Sequence, residues 1–231
     1  MAGDEVIILA GGFGTRLRAV ISDVPKPLAP VAGQPFLHWV LEHLAVQGMR
    51  RVILATGYLA ETVEQAFGSY YAGLSVDYSV EAEPLGTGGA IALATQRLQG
   101  GSAHVVNGDT FLHYSPQALE ASVTGESDIG VALAHVPDVT RYGSVSIEAS
   151  RVRAFSEKGH HGAGWINAGC YFLTARAIAA LPTGKFSFET DVLHSGVQRS
   201  SIAAFTETTG FIDIGIPEDY LRAQQLFGAQ R

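Results

Sequence analysis

The sequence predicts an α/β fold: a mixed, mainly parallel sheet flanked by helices, with a small antiparallel part in the second half. Short apolar runs of strand length alternate with helix-period segments up to about residue 110, the rhythm of parallel strands joined by crossover helices. Beyond residue 125, strand-like segments follow one another with little helix between them, which points to antiparallel pairing. Glycine is the third observation: 27 of 231 residues, roughly 12% where about 7% is usual, gathered in clusters rather than repeated.

Taken in order, residues 6–10 form an unbroken apolar run ended by Gly11-Gly12, the pattern of a buried strand. After Pro35, Leu37, Val40, Leu41 and Leu44 recur at helical spacing, and Gly48 is placed to end that helix. Residues 51–56 read as a second strand, 60–67 as a helix, 74–79 as an alternating strand, 89–98 as an Ala-rich helix and 103–107 as a strand. Residues 128–136, 144–148, 151–155 and 165–173 are strand candidates. A short helix near 188–194 and strands at 201–206 and 211–214 follow, then a helix opening on Pro217, a residue suited to a first helical position. No linker, charge run or repeat divides the chain, so residues 1–231 read as one domain.

Composition narrows the function classes. Hydrophobic residues at 47% and charged residues at 16% exclude a disordered chain as the main state. A formal net charge of −7 offers no basic field for nucleic acid or anionic lipid, so an anionic ligand must be held locally. The lone Cys170 forms neither an intramolecular disulfide nor a thiolate zinc site, which fits a reducing, cytoplasmic setting. The acidic N-terminus is unlike a signal peptide, and no apolar stretch reaches the ~18 residues of a membrane span.

Leu9-Ala10-Gly11-Gly12-Phe13-Gly14-Thr15-Arg16-Leu17 places a glycine-rich turn directly after the first strand, where backbone N–H groups can cradle phosphates. It is not the dinucleotide fingerprint, because Leu17 stands where the third glycine belongs; nor does Gly-Lys-Ser/Thr complete an ATPase-type phosphate loop. The three glycines alone read equally well as an ordinary strand-to-helix turn, and Arg16 tilts the reading toward an anion. In Pro25-Lys26-Pro27-Leu28, Pro25 fixes its own φ and Pro27 biases Lys26 toward an extended backbone, aiming the ammonium in one direction. Without a partner motif, Lys26 is a solvated loop lysine.

Together these two motifs resemble the signature of the sugar-1-phosphate nucleotidylyltransferases. The resemblance runs on through Glu83-Pro84-Leu85-Gly86-Thr87-Gly88-Gly89-Ala90, Asn107-Gly108-Asp109, Tyr142-Gly143, Glu157-Lys158, Asn167-Ala168-Gly169 and Phe211-Ile212-Asp213-Ile214-Gly215 to Tyr220, covering residues 9–220. It implies a Rossmann-like nucleotidyltransferase fold, here without the C-terminal left-handed β-helix of many relatives. Within the family the wording most resembles the enzymes that use GTP and a heptose 1-phosphate. The implied partners are therefore GTP and a sugar 1-phosphate, with no nucleic acid and no membrane, and the chain is compatible with a homo-oligomer. Mannose 1-phosphate as acceptor, a uracil nucleotide as donor, and a regulatory subunit without catalysis are the rival readings.

The family's roles carry over position by position. Arg16 and Lys26 are the implied catalytic cations, acting on the triphosphate and its α-phosphate. Leu9, Ala10, Gly11, Gly12, Gly14 and Thr15 line the phosphate turn, and Glu81, Gly86, Thr87, Gly88, Asn107 and Gly108 complete the nucleotide site. Asp109 and Asp213 are implied to share Mg²⁺, an ion that prefers a couple of carboxylates plus phosphate and water oxygens; singly, they would read as an Asx-turn and a helix-approach residue. Gly143, Glu157, Lys158 and Asn167 are implied to hold the sugar phosphate, although Glu-Lys alone is usually a surface ion pair. Glu81 stands where pyrimidine-using relatives carry glutamine. An acceptor-only carboxylate suits guanine, with its two adjacent donors, better than uracil, whose one donor is flanked by acceptors. The competing reading leaves Glu81 as an exposed charge and gives its task to Glu83.

Overall fold

The structure is a computed structural model and describes residues 3–12 and 24–229. The first half comprises β1 (Glu5–Leu9), β2 (Pro30–Val31), β3 (Gln34–Pro35), α1 (Phe36–Val46), β4 (Arg51–Thr56), α2 (Ala60–Phe67), β5 (Tyr70–Tyr71), β6 (Leu74–Val80), α3 (Gly86–Thr95), β7 (Ala103–Asn107), β8 (Thr110–His113) and α4 (Pro116–Ser122). The second half comprises β9 (Ile129–Val136), β10 (Val145–Glu148), β11 (Arg151–Phe155), β12 (Gly164–Leu173), α5 (Ala175–Ala179), a π-helical turn (Phe188–Leu193), α6 (His194–Gln198), β13 (Ile202–Phe205), β14 (Thr209–Asp213) and α7 (Pro217–Gly228).

Among the described residues, ten strands form one sheet in the order β10-β11-β13-β9-β12-β7-β1-β4-β6-β5. β1 lies parallel between β4 and β7, with Ile7 opposite Ile53 on one side and Val105 on the other. Burial on both faces explains its unbroken apolar run. Alternation sends Val6 and Ile8 into one core layer with Phe36, Leu41 and Phe227, and Ile7 into the other with Ile91, Tyr171 and Phe188. β12 runs antiparallel to both β7 and β9, and β10, β11 and β13 also pair antiparallel, which is the change of rhythm seen beyond residue 125.

Several details depart from expectation. α3 begins at Gly86 and ends at Thr95, earlier than the Ala-rich run suggests, because its first turn docks on the 184–188 segment: the Gly88 N–H donates to the Phe186 carbonyl at 3.1 Å. α4 and α5 are too short to show a period, but each carries a cap: Ser115 Oγ accepts from the Ala118 N–H and Thr174 Oγ1 from the Ala177 N–H, both at 3.2 Å. A small antiparallel sheet of β8 and β14 pairs Thr110 with Asp213.

At the amino end of the central strands, Glu5 is only 4% exposed and anchors the sheet. It accepts hydrogen bonds from Arg51, from the Gln99 N–H at 2.9 Å and from the Gly100 N–H at 2.6 Å. The β7 residue His104 is buried completely and, among the described residues, has no hydrogen-bond partner on either ring nitrogen. Burial lowers its pKa to about 4, and the same cause, with the neighbouring His113, lowers His43 to about 4. An unfolded histidine takes its proton near pH 6.5, before the folded one does. These groups therefore add stability above about pH 6.5 that is lost as pH falls toward 4. We expect the urea midpoint to fall between pH 7 and pH 5, and His104→Leu to flatten that slope; an unchanged slope in the variant would contradict the assignment.

Candidate functional site

The carboxyl ends of β1, β4, β6 and β7 open into a cavity of about 320 Å³. Leu9, Gly11, Gly12, Lys26, Glu81, Gly86, Thr87, Asn107 and Asp109 line it, so most of the expected nucleotide-site residues converge. Gly14, Thr15 and Arg16 lie outside the described residues. Three expected positions do not face the cavity. Ala10 is buried, donating its N–H to the Ala55 carbonyl at 2.8 Å. Gly88 lies against the Phe186 ring, where a Cβ would approach to 2.1 Å. Gly108 packs on the backbone of Leu9, where a Cβ would lie 2.7 Å from the carbonyl oxygen. The last two glycines permit close protein-to-protein approach. Gly86 serves both ends: it lines the cavity, and its φ of +75° and a would-be Cβ 2.5 Å from the Phe186 oxygen admit little else.

Lys26 departs from the extended backbone expected of it. It opens a 3₁₀ turn, Lys26–Leu28, closed by the Leu28 N–H on the Pro25 carbonyl at 2.8 Å, and burial of Pro27 overrides the bias against a helical residue before proline. The turn drives the ammonium inward, with 11% of the side chain exposed. It forms an ion pair with Asp109 and lies 3.8 Å from Asp213 Oδ1. The two carboxylates, far apart in sequence, meet because Asp109 precedes β8 and Asp213 ends β14, side by side in the small sheet. Burial and the Asp109 charge push the Asp213 carboxyl above the usual carboxylate range, against Lys26 and the Gly215 N–H, which donates to Asp213 Oδ1 at 2.7 Å.

Glu81 is half-buried at the end of β6. Its Oε1 accepts from the Leu85 N–H at 3.0 Å, while Oε2 lies against the backbone of Gly11 and Gly57. Burial raises its pKa despite the Leu85 bond. Glu83 lines a neighbouring hollow of about 260 Å³ beside Tyr58, which Glu81 also borders. Thr87 is not a cap: its hydroxyl donates to Glu189 Oε2 at 2.6 Å and accepts the Phe188 N–H at 2.9 Å.

Those bonds lead to a second cavity, of about 300 Å³, lined by all four residues expected to hold a sugar phosphate: Gly143, Glu157, Lys158 and Asn167. Among the described residues, no ion pair joins Glu157 to Lys158. Asn167 shapes the bulge where β12 slips against β9; its Oδ1 accepts the Gly169 N–H at 3.0 Å and its Nδ2 donates to the Tyr171 hydroxyl at 2.9 Å. At Gly169, φ is +70° and a Cβ would sit 2.5 Å from Asn107 Nδ2, so the bulge presses on a residue of the first cavity. On the other side, Arg141 and the Tyr142 hydroxyl donate to buried Asp219 at the start of α7, at 2.7 and 3.3 Å. Sequence reasoning missed Glu189, Thr190 and His194 in this wall. The contact of Glu189 with Thr87 crosses 102 positions, and no local spacing announces it.

A family model described as Nucleotidyl transferase matches residues 5–230. The chain is 44% identical over 224 residues to D-glycero-alpha-D-manno-heptose 1-phosphate guanylyltransferase of Aneurinibacillus thermoaerophilus, covering 96% of this chain and 97% of that protein. It is 41% identical over 218 residues to the protein of that name from Campylobacter jejuni, covering 94% and 96% of the two chains. A crystal structure of HddC from Yersinia pseudotuberculosis complexed with GMP-PN superposes with a TM-score of 0.85 at 40% identity, covering 96% of this chain and 99% of that one. With a family model matched along nearly its full length and relatives alike over almost their whole chains, the protein belongs to the nucleotidyl transferase family.

Proposed function

We propose that this chain transfers GMP from GTP to D-glycero-α-D-manno-heptose 1-phosphate, giving GDP-heptose and pyrophosphate. The observation that carries the chemistry is the Lys26–Asp109–Asp213 cluster: Lys26 and Asp109 line the first cavity, and the Lys26 ammonium reaches both carboxylates. The names of the relatives and the GMP-PN complex of HddC support the choice of acceptor and nucleotide.

An oxygen of the sugar phosphate attacks the α-phosphorus of GTP in line with the departing pyrophosphate. That oxygen is already anionic near neutral pH, since a phosphate monoester loses its second proton near pH 6, so no general base is required. Positioning and charge neutralisation do the rest. Asp109 and Asp213 fit a divalent cation: they are like charges held side by side, burial and then the Asp109 charge raise the Asp213 pKa, and an ammonium already bridges them. Mg²⁺ bound there would neutralise phosphate charge on the nucleotide and on the leaving pyrophosphate. Lys26 would then turn to the α-phosphate, joined by Arg16 from the glycine-rich turn. In the base site, the Glu81 carboxylate accepts the two adjacent donors of guanine. Lys158 pairs with the sugar phosphate, and Glu157 accepts from a sugar hydroxyl. A cytoplasmic setting supplies GTP; among the described residues, no helix is long and apolar enough to cross a membrane.

Pyrophosphate release measured across GTP, UTP and dTTP against several sugar 1-phosphates tests the reading. GTP with the heptose 1-phosphate is expected to give the highest kcat/KM, and equal use of UTP would overturn it. Asp109→Asn and Asp213→Asn should each lower turnover at least ~100-fold, about 2.7 kcal/mol of transition-state stabilisation; near-normal rates in both would refute the metal pair. Glu81→Gln should erode the preference for GTP over UTP, because an amide can serve either base.

A further inference from the structure

We propose that the π-helical turn Phe188–Leu193, together with His194 after it, is the wall that selects the acceptor's carbon chain beyond the sugar ring, with His194 as the residue that reads it. This rests on the reading of the second cavity as the sugar-phosphate site.

A π turn closes its hydrogen bonds over five residues, so side chains five apart share a face. Glu189 and His194 are so spaced, and both line the second cavity along with Thr190 and Leu193. In ordinary α-helical winding His194 would point well away from Glu189. The turn is fixed at both ends. Ser187 Oγ accepts the Thr190 N–H at 3.2 Å, and Glu189 is held by Thr87 at 2.6 Å and Ser187 Oγ at 3.1 Å. At the far end the His194 ring stacks on Phe155 of β11, centroids 5.7 Å apart at 16°. Among the described residues, the His194 ring nitrogens take no hydrogen bond, which leaves an exposed polar edge on a rigid stack.

Direction follows from the chemistry. The anomeric phosphate must lie beside the nucleotide's α-phosphate, near Asp109 and Asp213, on the side where Tyr142 is tied to Asp219. In the lining of the second cavity, Tyr142 is tied to Asp219 and Glu189 to Thr87 of the first cavity, whereas Phe155 and His194 stack on each other and carry no tie to that side among the described residues. The tail of the sugar meets them there. A ring nitrogen can pair with the hydroxyl of the extra carbon that distinguishes a heptose from mannose, and a polar edge built for such a hydroxyl disfavours a substrate that lacks it.

The test is kcat/KM for D-glycero-α-D-manno-heptose 1-phosphate and for α-mannose 1-phosphate, with GTP, in the wild type and in His194→Phe, which keeps an aromatic ring for Phe155 and removes the nitrogens. The ratio of heptose to mannose is expected to fall at least ~10-fold in the variant. A merely structural role for His194 would lower both values alike and leave the ratio unchanged, and that result would overturn the wall while leaving the proposed function standing. A wild type inactive with the heptose 1-phosphate would overturn the proposed function and the wall together.

Discussion

Two carboxylates and one ammonium, Asp109, Asp213 and Lys26, sit where the small β8–β14 sheet caps the carboxyl ends of the main strands, and the arrangement around them follows from keeping that cluster together. Burial first, and then the charge of Asp109 beside it, make Asp213 resist ionisation. The Lys26 ammonium offsets that charge, and the 3₁₀ turn between two prolines delivers it with little freedom.

Close backbone packing holds the two cavities in register. Glycines at 86, 88 and 108 let α3 and the end of β7 approach their neighbours within distances that a Cβ would forbid, and Gly169 presses the β12 bulge onto Asn107. Thr87 and Glu189 add a polar tie between the same two regions. The two cavities are thus joined by a bulge and a hydrogen bond.

What the sequence disclosed depended on range. β4 and α2 match their expected limits because strand and helix periods are local, and β12 with its neighbours betrayed antiparallel pairing by the scarcity of helix between them. α4 and α5, at seven and five residues, were too short to show a period and are defined by caps instead. Asp109, Asp213, Glu157 and Lys158 were legible only through a family resemblance, because nothing local links one end of a strand to another. Lys26 was misread locally, since the bias of Pro27 yielded to a hydrogen-bonded turn and a buried ring. Gly88 and Gly108 were placed in the nucleotide site through the family resemblance, and nothing local in the sequence says that each also packs closely against the protein's own chain. Glu189 and His194 were silent because the segment read as a short helix, and a spacing of five belongs to neither the α-helical nor the strand period.

Manganese binding in the absence of nucleotide, followed by electron paramagnetic resonance, tests the central cluster most directly. If Lys26 occupies the cation position between Asp109 and Asp213, then Lys26→Met frees that position and Mn²⁺ binds more tightly than to the wild type, and adding Asp213→Asn removes the gain. Binding that is unchanged or weaker in Lys26→Met would contradict a shared cation position and separate the lysine from the metal pair.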